Sequence, residues 1–542
     1  MQIIQWIVAV VIISLAIMGC GQSGESSKVV PASEQEIQEA RRNAEQAREG
    51  YIRCTRFVEG WLDRADPETG LIPRNLEADS DIWNAKDAAA DNYPFMVLTA
   101  ALTDQALFEG RMREMLATET KLTSRVRAMP DTYSFSKKGF ANEEINLEEI
   151  IFGTSEYIKD GLIPLTEWLG ESPWSVRMIS MLDDLWAHAP IETAFGNIVS
   201  ENVEVNGEML QTLSRIYWMQ QDPKYLEWAL RLGDYYLLDE HHPSSDFEAL
   251  RLRDHGCEIV SGLCELYVTL SFVDKEKEMT YQPHIHQLLD DILEHGRNEH
   301  GLFYNIVNPQ TGEIINPGIA DNFGYTLNGF YSVYLIDSVT EYREAAELAL
   351  NSLNPHYRNF DWERGSADGY ADAIEGALNL YNRLQIKSVA DWMDSEMQVM
   401  WSKQQENGII EGWHGDGNFA RTTIMYNLWK SQGAYAHPWH ENLRLGAIEK
   451  EDGIILLLES EEDWSGKIHL DYQRHKHILH LPIDWPRINQ FPEWFTVKDG
   501  QFYDVINLDS GDQEKVTGEA LKNGYPIDLE IGEVLTLLIK PQ

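Results

Sequence analysis

The short stretch "RDHGCE" at residues 253–258 places three groups that can do chemistry side by side, at Arg253, Asp254 and His255. A guanidinium can bind an anion through two parallel hydrogen bonds, and a carboxylate and an imidazole can each take up or release a proton. A structural interpretation also exists, because an aspartate here would cap the apolar helix that follows. A cap and a catalytic carboxylate can coincide, so Asp254 and His255 are candidate catalytic residues and Arg253 is a candidate for binding substrate.

Four further stretches repeat this plan, with polar and aromatic residues directly before an apolar, helix-like run. Tryptophan could stack on a sugar face, and arginine or histidine could hold a carboxylate. The plainer interpretations are helix caps, a solvated acidic stripe and a glycine-rich turn. These stretches supply the candidate catalytic residues Asp91, Tyr325 and Asp416 and the candidate substrate-binding residues Trp83, Asn92, Tyr93, Asn322, Trp362, Asp368, Trp413, His414 and Arg421.

Such clusters need a scaffold that brings the starts of several helices together. From about 36 to 440 the pattern is helical almost throughout, and several helices are apolar on more than one side, which is typical of helices packed between neighbours. We therefore predict a mainly α fold, an (α/α) toroid of about six helical hairpins whose parallel inner helices gather the clusters at one end. An open helical solenoid is the alternative, but the sequence has no capping repeats that favour it.

A recurring phrase supports repeated helix ends. It reads "TGLIP" at 69, "DGLIP" at 160, "HGLFY" at 300 and "NGIIE" at 407. A glycine in the left-handed conformation, followed by two apolar residues that pin the departing chain, would end a helix in each case.

The two ends of the chain differ from its helical middle. From 441 to 542, short apolar runs separated by Gly, Asp and Asn predict a C-terminal β-sandwich domain. Residues 1–19 are typical of a signal peptide, and "IMGC" resembles a bacterial lipobox with Cys20 as the lipidated residue. Residues 20–35 would be a tether, and the glycine after Cys20 suggests the outer membrane. A simple membrane anchor is the alternative.

Composition limits the partners. The chain has 542 residues and a net charge of −44, so it would repel nucleic acid and anionic membrane surfaces, leaving a lipid anchor as the only membrane contact. Dinucleotide and phosphate loops, GxSxG and HExxH are absent, and "HH" at 241 and "HIH" at 284 lack zinc-ligand partners, so neither a cofactor nor a metal is predicted. Cys54, Cys257 and Cys264 are expected to be buried free thiols.

Taken together, five motifs resemble a known superfamily. They are "DNYPF", "RDHGCE", "DNFGYTLNGFY", "DGYADAIEGALNL" and "EGWHGDGNFART", and they resemble bacterial (α/α)-toroid carbohydrate-active enzymes near the glucuronic-acid-active glycosidases and uronate lyases. The resemblance covers most of the chain after the signal. It implies a carbohydrate substrate, acidic in character, and polysaccharide degradation by a glycoside hydrolase.

The type of reaction stays open between three classes. A hydrolase needs a carboxylic acid and a carboxylate, which Asp91, Asp254, Asp368 and Asp416 could supply. A uronate lyase or dehydratase needs a neutralised carboxylate, a base and an acid, and the resemblance suggests Asn322, His255, Tyr325 and Arg253 for these places. A non-catalytic glycan-binding lipoprotein is the third class, and it would not need an Arg–Asp–His cluster.

Overall fold

The computed structural model describes residues 32–542, so the expected signal peptide, Cys20 and most of the tether lie outside the described residues. The helices in chain order are α1 Glu34–Leu62, α2 Tyr93–Thr103, α3 Gln105–Leu107, α4 Arg113–Thr123, α5 Leu147–Glu156, α6 Ile163–Leu169, α7 Pro173–Ala187, α8 Val203–Gln220, α9 Pro223–Leu237, α10 Glu258–Val273, α11 Lys275–His295, α12 Phe323–Asp337, α13 Thr340–His356, α14 Ala367–Leu384, α15 Lys387–Trp401, α16 Asn418–Lys430, α17 Arg474–His477 and α18 Gly518–Asn523. π-helical segments occur at Ala85–Asn92, Phe108–Met112 and Tyr157–Leu162, and 3-10 turns at Asp254–Cys257 and Trp362–Gly365.

Helices that alternate along the chain form an inner and an outer ring, which confirms the predicted toroid. The inner elements are α2, the pair α5–α6 joined by a π-helical segment, α8, α10, α12, α14 and α16, and α16 closes onto α2. The outer ring is α1, α4, α7, α9, α11, α13 and α15. Residues 32–542 thus contain seven inner elements, one more than the number expected from sequence.

Burial on all sides explains why the inner helices look apolar all round. Every residue of α10 from Glu258 to Leu270 is buried. Within the described chain, the element Asp254–Val273 even has the length and hydropathy of a membrane-spanning helix, but most of it is buried inside the ring. Cys54, Cys257 and Cys264 are buried free thiols, as predicted.

The β-strands fall into two groups. Short strands in the loops of the toroid are β1 Ile82–Trp83, β2 Ser124–Val126, β3 Met129–Pro130, β4 Tyr133–Ser134, β5 Gly139–Phe140, β6 Ile191–Thr193, β7 Gly196–Ile198, β8 Leu250–Arg251, β9 Tyr304–Val307 and β10 Ile314–Ile319. Those after α16 are β11 Tyr435–His437, β12 Leu443–Lys450, β13 Gly453–Ser460, β14 Trp464–His469, β15 Asp471–Tyr472, β16 Thr496–Val497, β17 Phe502–Asn507, β18 Gln513–Thr517, β19 Tyr525–Leu529 and β20 Val534–Pro541.

The later strands form the predicted sandwich. A five-stranded antiparallel sheet, β12-β13-β20-β17-β18, packs against the sheet β11-β14-β19. In β13, Leu456 faces the sandwich core, whereas Leu457 packs against Ala40 and Ala44 of α1. Because both faces of β13 are covered, the strand reads as the continuous apolar run "GIILLLE" rather than as an alternating one.

The segment between β15 and β16 returns to the toroid. Arg215 of inner helix α8 donates to the carbonyl of Ile488 at 3.2 Å, and the backbone N–H of Asn489 donates to Glu375 of α14 at 2.6 Å. Arg487 forms a buried ion pair with Glu167 at 2.7 Å. This segment therefore reaches the interior of the ring, a contact that the sequence did not predict.

The glycine of the recurring phrase has a left-handed backbone conformation in three of its four occurrences. Gly70, Gly301 and Gly408 have φ values of +74°, +83° and +85°. The predicted helix ends are nevertheless wrong, because α1, α11 and α15 end at Leu62, His295 and Trp401, several residues before these glycines. Gly161 differs from the other three, because it lies inside a π-helical segment. A Cβ at Gly161 would stand 2.9 Å from the carbonyl oxygen of Ala90, so this glycine is required by the close approach of two inner elements.

Close helix packing generates a stability prediction for Gly324. A Cβ there would lie 2.3 Å from the Cα of Gly376, where α12 and α14 cross. We expect Gly324→Ala to lower the melting temperature, at a cost of about 1–3 kcal/mol or more for overpacking. Gly110→Ala is the matched control, because the added Cβ meets nothing within 4 Å. Equal melting temperatures for the two variants would contradict the packing described here.

Candidate active site

One cavity of about 510 Å³ opens where the inner helices begin. Inner helices that alternate with outer ones all run the same way, so their N-terminal ends meet at one end of the ring. Ten of the predicted site residues line the cavity: Asp91, Asp254, His255, Asn322, Tyr325, Asp368, Trp413, His414, Asp416 and Arg421. Clusters that are 330 residues apart in sequence are thus brought together, as predicted.

Four residues that were predicted to bind substrate lie in the core instead. Trp83, Asn92, Tyr93 and Trp362 are at most 3% exposed and do not line the cavity. Helical residues turn by about 100° each, so when Asp91 faces the cavity the next two residues face the protein interior. The hydroxyl of Tyr93, for example, donates to the Met112 carbonyl at 2.7 Å.

Asp254 is held as an ionised carboxylate at the mouth of α10. It is left-handed, with φ +53°, and its backbone carbonyl accepts a hydrogen bond from Asn322 Nδ2 at 2.9 Å. Its Oδ1 lies 3.5 Å from His255 Nε2, and its Oδ2 lies 3.8 Å from Arg253 Nη2. Burial opposes ionisation, but the positive charges of His255, Arg251 and Arg253 hold the pKa of Asp254 below 3.8.

Arg253 stands beside the cavity rather than in its lining. Its guanidinium is 3.7 Å from Glu363 Oε1 as well as close to Asp254, and its side chain is partly exposed. Two carboxylates therefore compete for this arginine.

Asp91 and His414 form a second centre with the opposite ionisation. His414 Nε2 lies 3.6 Å from Asp91 Oδ2 and 3.7 Å from Asp87 Oδ1. Burial, together with the charges of Asp160 and Asp87, raises the pKa of Asp91 to about 7 despite the nearby imidazole. Burial opposes a charge on His414 as well, but the two carboxylates raise its pKa to about 9. Near neutral pH, Asp91 can therefore hold a proton while His414 is a cation.

Asp416 and Asp368 are more enclosed carboxyls of the same cavity. Burial and the charge of Asp368 raise the pKa of Asp416 well above its ordinary value, and Asp416 is only 3% exposed. Burial and Glu363 raise the pKa of Asp368, which accepts a hydrogen bond from Asn418 Nδ2 at 2.8 Å.

Arg421 differs from its predicted role as a reader of substrate carboxylates. It is 2% exposed, and its Nη2 lies 2.8 Å from both Asp372 Oδ1 and Glu375 Oε2. Its Nη1 donates to Asn418 and to Asn489, at 2.8 Å and 2.9 Å. With these partners, Arg421 ties α16 to α14 rather than presenting a free guanidinium to a ligand.

Tyr325 shares the same two carboxylates. Its hydroxyl oxygen is 2.8 Å from both Asp372 Oδ1 and Glu375 Oε2. Burial raises the pKa of Tyr325 well above its ordinary value, so the phenol keeps its proton and does not act as a base.

Several cavity residues were missed by the sequence analysis. They are Asp160, Glu258, Glu363, Asp372, Lys403, Glu411 and Asn489. A solvated stripe was the plainer interpretation of Asp368, Asp372 and Glu375 in α14, yet Asp368 and Asp372 line the cavity and Glu375 is fully buried. Asn489 comes from the segment beyond the toroid, and no local pattern marks it.

The lining is strongly acidic. In the described part of the chain, its cationic or titratable basic groups are Lys403, Arg421, His255 and His414, whereas its carboxyl groups are Asp91, Asp160, Asp254, Glu258, Glu363, Asp368, Asp372, Glu411 and Asp416. Carboxylates in such a lining attract cationic ligands and oppose anionic ones, and they can accept hydrogen bonds from the hydroxyl groups of a neutral sugar.

Trp413 provides an apolar surface at the rim of the cavity. Its side chain is 80% exposed, which is unusual for tryptophan, and Arg74 lies over the ring at 5.7 Å from its centroid. An exposed aromatic face beside a polar cavity is suited to stacking on a sugar ring.

Comparisons with known proteins are limited to the fold. No family model and no curated protein matches this chain. A family 76 glycoside hydrolase (mannosidase) from Bacteroides thetaiotaomicron is 15% identical, with 72% of this chain and 99% of that chain covered at a TM-score of 0.41. A family 76 α-1,6-mannanase from Salegentibacter is 14% identical, with 58% and 96% covered at 0.41. A possible family 105 member from Salmonella enterica is 11% identical, with 51% and 81% covered at 0.38. At these TM-scores, the likeness assigns no reaction or substrate to this chain.

The contacts of Arg421 predict a structural role. Arg421→Lys keeps the charge but loses part of the two-pronged geometry, so we expect a loss of at least about 1.5 kcal/mol and a clearly lower melting temperature. Arg113→Lys is the matched control, because Arg113 pairs with Glu109 on the surface, where exchange costs about 0.5 kcal/mol or less. An unchanged melting temperature for Arg421→Lys, with weaker ligand binding, would restore the ligand-reading role.

Proposed function

We propose that the protein is a glycoside hydrolase that acts on an oligo- or polysaccharide. The observation that carries the proposal is the opposite ionisation of two aspartates in one cavity, with Asp254 held as a carboxylate and Asp91 able to hold a proton near pH 7. Hydrolysis of a glycosidic bond uses this combination, an acid for the leaving oxygen and a carboxylate for the sugar or the attacking water.

The neighbours of these aspartates support their roles. Asp91 protonates the leaving oxygen, and the cation of His414 beside it offsets the negative charge that Asp91 then carries. Asp254 acts as base or nucleophile, with its backbone held by Asn322. Asp416 is a less suitable acid, because its side chain is more enclosed than that of Asp91.

For the substrate, the acidic lining favours a neutral or amino sugar over a uronate. The expectation of an acidic substrate came from the family resemblance and requires arginine or histidine side chains that can hold a carboxylate. The guanidinium of Arg421 is instead paired with Asp372 and Glu375. Arg253 supports a uronate as the second candidate, because its partly exposed guanidinium stands beside the cavity.

Elimination is less well supported than hydrolysis. A lyase or dehydratase needs an unprotonated base near the substrate. Tyr325 keeps its proton, and the carboxylates around His255 raise the pKa of that imidazole well above its ordinary value in spite of burial. The lipobox-like sequence at Cys20 supports a location at the outer membrane, where a polysaccharide-degrading lipoprotein would meet its substrate.

The proposal is tested by incubating the protein with matched neutral, amino-sugar and uronate oligosaccharides. New reducing ends, without absorbance of an unsaturated uronate, are the expected result, and neutral or amino sugars should react faster than uronates. Absorbance of an unsaturated uronate would assign elimination instead. Binding without new ends on any glycan would assign a non-catalytic binder.

Activity should depend on pH through the two aspartates. Asp91 must be protonated, so we expect kcat/KM to fall as the pH rises above about 7. In spite of burial, the positive charges of His255, Arg251 and Arg253 lower the pKa of Asp254, so Asp254 stays ionised throughout this range. Asp91→Asn and Asp254→Asn should each lower kcat by about 100-fold or more with little change in melting temperature. Asp91→Asn should also remove the alkaline limb of the profile.

Asp104→Asn is the matched control for these variants. Asp104 follows the C-terminal end of α2, the inner helix that begins just after Asp91. It caps α3, and asparagine caps a helix equally well. This variant should keep the wild-type rate and pH profile. An alkaline limb that persists in Asp91→Asn would contradict the assignment of the acid.

A further inference from the structure

A second group of side chains adjoins the cavity and is not explained by hydrolysis. Glu156 at the end of α5, Asp160 in the following π-helical segment, Glu208 in α8 and His255 before α10 each place one potential ligand atom within 4.8 Å of the others. Asp160 and His255 also line the cavity, so the group stands at its wall.

Two carboxylates of this group have oxygens without a partner among the described residues. Glu208 is fully buried, and neither of its oxygens accepts a hydrogen bond. Asp160 is 6% exposed and uses only Oδ1, which accepts from Lys159 Nζ at 2.7 Å and from Asn489 Nδ2 at 2.9 Å, while Oδ2 stays unpartnered. Leaving a buried carboxylate without a partner is costly, so these atoms indicate a missing cation or proton.

The surrounding charges do not supply that cation. The side chain of Lys159 is fully buried, and its ammonium group forms ion pairs with both Asp160 and Glu258. The imidazole of His255 is 3.5 Å from Glu258 and 3.9 Å from Glu204. Because Asp254 also lies 3.5 Å from His255 Nε2, two basic groups face six carboxyl groups in the described structure. Burial and the neighbouring carboxylates raise the pKa of both Glu156 and Glu208 well above the ordinary value, so protons are the competing explanation.

Two other clusters of the described residues have their partners already. In one, Asp87 Oδ2 already accepts from Arg74 and Asn84. In the other, His475 is bonded to Glu493, and Asp484 is paired with two arginines. Within residues 32–542, only the group around Glu208 combines close spacing with unpartnered buried oxygens.

We propose that Glu156, Asp160, Glu208 and His255 bind one divalent metal ion. Three carboxylates and one imidazole form a mixed oxygen and nitrogen donor set, which suits Mn²⁺ or Zn²⁺ better than the all-oxygen cations Mg²⁺ and Ca²⁺. The ion would join three neighbouring inner elements at the cavity wall, namely the α5–α6 pair, α8 and the turn before α10. A ligating imidazole is neutral, so the ion would take the place of the proton on His255 and keep a positive charge beside Asp254.

The test is direct binding of metal salts to the folded chain. After dialysis against a chelator, MnCl2, ZnCl2, MgCl2 and CaCl2 are titrated separately, with isothermal calorimetry and the melting temperature as readouts. We expect one Mn²⁺ or Zn²⁺ ion per chain and a rise in melting temperature. Binding weaker than millimolar for all four would overturn the site in favour of protons, and binding of Mg²⁺ or Ca²⁺ alone would overturn the donor set.

Variants separate ligation from general charge. Glu208→Gln is nearly isosteric and should weaken binding at least about 100-fold. Glu204→Gln removes the same charge one helical turn earlier but no proposed ligand, so it should still bind one ion. Equal effects of the two substitutions would overturn the assignment of ligands. Should Glu208→Gln not fold, anomalous scattering from Mn²⁺ in crystals of the wild-type protein decides, because the peak must lie within the group of four.

Discussion

The rest of the site depends on the ion pairs and hydrogen bonds of the buried Arg421 guanidinium. It pairs with Asp372 and Glu375 of α14 and donates to Asn489 Oδ1. The backbone N–H of Asn489 donates to Glu375, and its side-chain amide donates to Asp160. One hydrogen-bonded network therefore joins two inner helices, a π-helical segment and the segment between β15 and β16. Breaking a buried pair leaves carboxylates without compensation, so this network fixes the floor of the cavity.

Above that floor, the same crowding of carboxyl groups creates chemical differences between identical residue types. Asp254 lies beside one imidazole and two arginines, and in spite of burial these positive charges lower its pKa. Burial and the neighbouring carboxyl groups raise the pKa of Asp91 to about 7. Two aspartates with different charge states follow from position alone. The acidic lining that produces this difference also makes a uronate a poorer fit than a neutral sugar.

The sequence was sufficient for the fold and for most of the cavity because both follow from local patterns. All-round apolar helices predicted an inner ring, and polar clusters such as the one at Asp254 marked the helix starts that the ring brings together. Which neighbour faces the cavity depends on helix rotation within the π-helical segments, and Asn92 and Tyr93 were therefore misassigned. The sequence did not predict the ion pairs of Arg421, because Asp372, Glu375 and Asn489 lie 46 to 68 residues away from it. No local sequence pattern marks Asn489 as a cavity residue.

The most direct measurement is a crystal structure of the Asp91→Asn variant with an oligosaccharide bound. The account predicts a glycosidic oxygen within hydrogen-bond distance of the side chain at position 91, the Asp254 carboxylate on the opposite side of that sugar ring, and a sugar face against Trp413. A sugar bound outside this cavity, or both aspartate positions on the same side of the bond, would contradict the proposed hydrolysis.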